Sequence, residues 1–224
     1  MEDLLIDIFI GRDPEDLEAL NWRYQQHNSY VMSGRTLASA VKQLTSNAVL
    51  RSALMVCTEG TSTRKPGPVD QSLVYRDVAE IEKQLKTTFP ESQILDILLR
   101  RQDVHIAQIN VFFSMRTSMQ LDEALRRNTR LDDMTKKIAV HAVRTATNLT
   151  YRDVMLLRDA MGNKLLRSRK DEKIGIRVCR MHWHRQHWRQ IKAAYVGHSG
   201  KEFIDIWKRG NGLFKDLILS MASV

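Results

Sequence analysis

Residues 164–170, KLLRSRK, put four cations and two leucines into seven positions, a combination suited to an anionic surface. Each Lys or Arg held near acidic lipid contributes ~1 kcal/mol, so Lys164, Arg167, Arg169 and Lys170 together could hold a chain on a membrane. Leu165 and Leu166 would then be available to insert among headgroups. The plainer alternative is a lengthened, solvated connection without a ligand, because a charge cluster identifies no partner by itself.

Residues 180–189, RMHWHRQHWR, invite two sharper chemistries. His184 and His187 at i, i+3 spacing could ligate zinc, and His182 lies close by. No carboxylate or further ligand stands at matching spacing, so helix-surface histidines beside a packed Trp188 are the simpler reading and no metal is assigned. Arginines interleaved with Trp183 and Trp188 could stack on bases, as single-strand binders do. No RNA-binding module accompanies them, and nucleic acid is not the expected partner. Asp132 and Asp133 are paired carboxylates beside a helix start, where the dipole explains them. A Gly-rich phosphate loop, G-x-S-x-G and H-E-x-x-H are all absent, so no catalytic residue is assigned and no enzyme is expected.

Charge is placed as unevenly as these motifs suggest. Residues 1–150 carry 19 Lys and Arg against 19 Asp and Glu, whereas residues 151–224 carry 16 against 7, which is the whole net charge of +9. Such asymmetry points to one face that meets an anion. With 43% hydrophobic and 27% charged residues the composition is that of a globular protein with a sizeable core. Cys57 and Cys179 occupy apolar positions of helical patterns and read as buried, reduced thiols of an intracellular protein. No apolar run of 18 residues occurs and the amino terminus is acidic, so neither a membrane span nor a signal peptide is expected.

The elements that must position these residues repeat themselves. Residues 4–24 shifted by 89 fall on residues 93–113: Leu5, Ile6, Ile8, Phe9 and Ile10 match Ile94, Leu95, Ile97, Leu98 and Leu99. Asp7 matches Asp96, Arg12 matches Arg101, and Leu17, Leu20 and Tyr24 match Ile106, Ile109 and Phe113. A weaker third copy at a shift of 171 keeps Ile176, Cys179, Trp188, Ile191 and Tyr195 apolar. A long internal period marks a repeat architecture. Few Gly and Pro and apolar residues at three- and four-residue spacing make every unit helical. The boundaries follow: a unit over 1–57 lacking its first helix, a polar linker over 58–72 with Gly67 between prolines, and units over 73–148 and 149–224.

The unit resembles an annexin repeat. The match is best over residues 41–57, VKQLTSNAVLRSALMVC, where a short helix, a T-S-G-like turn and an apolar helix follow one another, with Asn47 in place of the glycine. Arg12 and Arg101 match the arginine that annexins carry after their second helix. The resemblance implies an all-α, annexin-like array of five-helix repeats, covering most of repeat two and then repeats three and four. A missing first repeat would make the chain a fragment or a shortened product.

Annexins bind acidic phospholipid through calcium held by a G-x-G-T loop and an acidic residue about 40 positions later. A hard cation needs several oxygens, usually including carboxylates. The loop positions here read Lys86-Thr87-Thr88-Phe89-Pro90 and, in the last unit, residues 163–170; the closing acid falls at Leu44, Asn128 and Arg209 or Gly210. No complete calcium site is found, and no cofactor is assigned. The expectation is therefore a cytoplasmic, peripheral protein that binds acidic phospholipid membranes electrostatically through the basic loop, which the resemblance places at the membrane-facing edge. The alternative is a helical scaffold for a protein partner without lipid binding.

Overall fold

Apolar spacing of three and four residues becomes fourteen helices among the residues that the computed structural model describes: 2–27, 34, 36–58, 67–87, 91–162, 167–182, 184–207 and 213–222. They are α1 (Glu2–Phe9), α2 (Pro14–Gln26), α3 (Leu37–Leu44), α4 (Ala48–Thr58), α5 (Gln71–Gln84), α6 (Glu91–Arg100), α7 (Asp103–Thr117), α8 (Leu121–Arg127), α9 (Asp133–Thr147), α10 (Leu149–Gly162), α11 (Arg167–His182), α12 (Arg185–Ser199), α13 (Phe203–Trp207) and α14 (Leu213–Ala222). No described residue is in a strand. The chain divides into two compact units, Met1–Thr147 and Asn148–Val224. In the first, α1–α4 and α5–α9 share one core. In the second, α10–α14 repeat the helix order of α5–α9 around a core of their own.

Local signals account for most helix ends. Thr36 accepts the Ser39 N–H to open α3, and Asp70 accepts from Ser72 and Leu73 to open α5. Asn47, expected to turn the chain through a left-handed conformation, instead caps α4: its Oδ1 accepts the Leu50 N–H at 3.0 Å. Among described residues other than glycine, only Ser118 has positive φ. Ser118 and Gly200 close α7 and α12 at φ 57° and 66°. Asp13 precedes α2 in extended conformation, but its side chain makes no capping bond. Gly11 turns α1 into α2 at φ +74°, where a Cβ would stand 2.7 Å from Thr145, so both conformation and space require glycine.

The 89-residue echo is an echo of environment in the first helix of each copy. Leu5, Ile6, Phe9 and Ile10 are buried as Ile94, Leu95, Leu98 and Leu99 are, while Ile8 and Ile97 face outward or halfway. In the next helix Ile106, Ile109 and Phe113 are buried, and so are Trp188, Ile191 and Tyr195 in α12. Leu17, Leu20 and Tyr24, expected to be equally buried, are only half-buried against the core. The reason is the neighbour: α7 packs on α5, α8 and α9, whereas α2 packs mainly on α3 and α4. One further correction concerns α11, where Ile174, Val178 and Met181 form the inner stripe and Ile176 is exposed.

A charged tie accompanies the apolar stripe. On α5, buried Asp77 accepts Nε of Arg101 at 2.7 Å and Nη2 at 3.2 Å, and lies 2.9 Å from Nε2 of His105. On α10, buried Asp153 is met by Arg152 at 2.7 Å, by Arg180 at 3.3 Å and by Nε2 of His187 at 2.8 Å. Arg12, the counterpart of Arg101, reaches Asp16 at 3.9 Å, and Asp16 occupies the counterpart of His105. Burial pushes the Asp153 carboxyl up, but His187, Arg152 and Arg180 outweigh it and hold the group below its ordinary 3.8.

Truncating Ile106, Ile109, Phe113 or Ile191 to Ala should cost ~2–5 kcal/mol in urea unfolding, and Leu17→Ala or Leu20→Ala clearly less. A depressed carboxyl contributes stability that is complete above its unfolded pKa and is lost as pH falls through its folded value. The urea midpoint of the Asn148–Val224 unit should therefore fall on acidification between about pH 5 and pH 2, and Asp153→Asn should flatten that limb while lowering stability at neutral pH.

Candidate functional site

The basic run divides where the structure turns it into helix. Lys164, Leu165 and Leu166 lie outside the described residues, while Arg167, Arg169 and Lys170 stand on the first turn of α11. The second half of the expected loop is thus helical. That first turn holds no acidic residue.

The turn after α5 and the turn between α8 and α9 are the places where the annexin resemblance puts a calcium ion, and here they are already tied together. Asn128 Nδ2 donates to the Leu85 carbonyl at 2.8 Å, and Arg130 Nη1 donates to the same oxygen at 3.3 Å. Asn128 Oδ1 accepts the N–H groups of Arg130 and Leu131 at 2.8 and 3.2 Å. One residue back, the Gln84 carbonyl accepts from both the N–H and the hydroxyl of Thr87. A calcium ion needs free carbonyl oxygens and a carboxylate. The described part of this turn offers instead two engaged carbonyls, an amide donor and a guanidinium; Thr88, Phe89 and Pro90 lie outside the described residues. In the α1–α4 repeat the closing position is Leu44, an exposed apolar side chain, and in the last repeat Arg209 and Gly210 lie outside the described residues.

The histidines go separate ways. His182 Nδ1 lies 2.9 Å from the Met221 carbonyl, His187 is taken by Asp153, and His184 is exposed at the start of α12. Among the described residues no group of three His, Cys, Asp or Glu side chains is placed to hold a metal ion. Trp188 is buried edge-on against Phe203, ring centroids 5.6 Å apart, so it offers no face to a base; Trp183 lies outside the described residues. Cys57 is buried, whereas Cys179 is only half-buried, with Sγ 3.8 Å from Met221 Sδ. No described helix is long and apolar enough to cross a membrane. Sequence reasoning missed the Leu85–Asn128–Arg130 tie, whose partners are 43 and 45 residues apart. It also missed the acid that His187 serves, 34 residues upstream.

No protein-family model matches the sequence, and no curated protein sequence does either. Solved structures do match. Annexin A8 aligns over 99% of this chain and 66% of its own, at a TM-score of 0.82 and 18% identity. Chicken annexin V in complex with zinc covers 99% of this chain and 67% of its own, at 0.75 and 18%. Calcium-bound alpha-14 giardin covers 99% and 70%, at 0.74 and 13%. The chain spans about two thirds of the length of the annexins it matches. At such identities the comparison speaks for the backbone alone, and what it shows is that this chain has the all-α repeat fold of the annexins.

Proposed function

We propose that the protein binds acidic phospholipid surfaces by electrostatic attraction, without calcium, as a peripheral membrane protein. The observation that carries this reading is the Leu85 carbonyl held by Asn128 and Arg130, which puts donors at a closing position where a calcium site needs a carboxylate. The charge excess supports it, since 16 cations against 7 acids in residues 151–224 supply the attraction that a metal would otherwise provide. So do Arg167, Arg169 and Lys170, three cations within the first turn of α11, which holds no acidic residue.

A second reading, a scaffold for a protein partner, is favoured by the outer face of α7. There Val104, Val111 and Met115 are exposed at spacings of seven and four residues.

Cosedimentation with acidic vesicles separates the two. Binding should persist in chelator, gain nothing from added calcium and weaken as salt rises to physiological strength, where screening limits surface charge to ~8 Å. Neutral vesicles should bind poorly. Changing Lys164, Arg167, Arg169 and Lys170 together to Glu should abolish binding to acidic vesicles; calcium-dependent binding that survives this change would defeat the proposal. No binding with or without calcium would favour the scaffold.

A further inference from the structure

The 89-residue echo extends to the contacts between helices, and one pair of equivalent contacts is filled in one copy and open in the other. Where α9 meets α1, Lys137 Nζ reaches Asp3 at 3.1 Å and His141 Nδ1 lies 3.9 Å from Asp7. Thr145 fits there against Gly11, which has no Cβ to obstruct it. Shifted back by 89, Lys137, His141 and Thr145 fall on Ala48, Ser52 and Val56 of α4. By the same shift Asp7, Ile10 and Gly11 fall on Asp96, Leu99 and Arg100 of α6. Ala48 and Ser52 thus stand where the closed contact has an ammonium and an imidazole. At this second contact a cavity of about 510 Å³ opens between α4 and α6. Its floor is apolar, with Ala53, Leu95 and Leu99 all buried, and its rim carries Ser52, Asp96 and Arg100. An apolar floor with a few polar groups, in a volume of about 300–1,000 Å³, is the common form of a small-molecule site.

The two contacts treat one carboxylate position differently. The Asp7 side chain is 4% exposed and faces His141, whereas the Asp96 side chain is 61% exposed. Arg100, one turn along the same helix, gives its Nε–H to Asp96 Oδ1 at 2.5 Å. A carboxylate accepts several hydrogen bonds on its two oxygens, so Asp96 can take a further donor beside Arg100. An exposed i, i+4 pair is also weakly held, and Arg100 yields readily to a competitor.

We propose that the cavity between α4 and α6 binds a small aromatic cation, with its ring on Ala53, Leu95 and Leu99 and its cationic donor on Asp96. The ligand class follows from the closed contact, where the neighbouring helix itself brings a nitrogen-bearing ring to the equivalent carboxylate. In the open contact Ser52 brings no ring, so the ligand takes the place that His141 fills in the other copy. The site lies within the Met1–Thr147 unit and owes nothing to the basic run at 164–170, so it stands apart from the membrane reading.

The test uses the full chain and 2-phenylethylamine, a ring with one ammonium, followed at the methyl resonances of Ala53 and Leu99. The shifts should saturate with a Kd of about 0.1–1 mM, the range open to a ligand of this size. Phenylacetate, the same ring with the opposite charge, should bind at least about tenfold more weakly. Asp96→Asn should weaken the amine about tenfold, and Arg100→Gln, which removes the competing donor, should tighten it about twofold. Ser52→Trp, which fills the cavity from an exposed position, should abolish the shifts. An unchanged thermal midpoint shows that each variant is folded. Should Ser52→Trp unfold, Ser52→His takes its place, restoring the side chain of the closed contact and excluding the amine. Loss of binding in the filled variant, together with weakening in Asp96→Asn, supports the site. Shifts that do not saturate, phenylacetate binding as tightly as the amine, indifference to Asp96→Asn, or binding that survives the filled variant each overturns it.

Discussion

A carboxylate buried inside a helix bundle costs several kcal/mol unless cations and donors surround it, and this structure builds two such bundles around one. Asp77 draws Arg101 and His105 to α5, and Asp153 draws Arg152, Arg180 and His187 to α10. Each carboxylate thereby gathers side chains from the end of the second helix and the start of the third. That fixes the corner between those helices, which apolar burial alone would leave free to slide. The buried stripes Ile106–Ile109–Phe113 and Trp188–Ile191–Tyr195 start one residue after the histidine of each tie. The α1–α4 repeat shows the same logic without its first helix. Arg12 there takes Asp16 from its own α2, an i, i+4 pair in partial solvent, and the helix is seated less deeply.

The turns between helices obey a different constraint, that carbonyls at a helix end need partners. In a metal-binding loop the cation is that partner. Here the last carbonyls of α5 are satisfied by Thr87, Asn128 and Arg130. Asparagine suits the closing position because its side chain accepts and donates at once. An ionised aspartate could accept the two N–H groups of Arg130 and Leu131 but could give nothing to Leu85.

What the sequence revealed follows from what kind of interaction was involved. Helices and their order were legible because apolar spacing is written locally, and the buried Leu5, Ile6, Phe9 and Ile10 match the buried Ile94, Leu95, Leu98 and Leu99. Burial of Leu17, Leu20 and Tyr24 was overread because depth depends on which neighbour helix is present. Ile176, aligned with a buried position, is exposed because α11 turns Ile174, Val178 and Met181 inward. At the candidate site, the missing carboxylate at Asn128 was visible in sequence, but what Asn128 does instead was not. Its bond to Leu85 joins two turns, and neither turn alone predicts it. The basic run was recognised as charge, while the helical start at Arg167 was not, since three cations in a first turn contradict helix-dipole preference.

The basic first turn of α11 and the Arg130 contact to Leu85 bear on the proposed reading, in which a repeat of this fold would meet an anion without a divalent cation. A metal ion is exchangeable, so a loop tied by one answers to the ion's concentration and to chelators. A guanidinium carried by the chain is permanently charged and cannot be withdrawn. The variables left to such a surface are ionic strength and the density of anions it faces, both of which act through screening. Under the proposed reading, attachment would therefore be graded with ionic strength and anion density, in place of being switched by a metal.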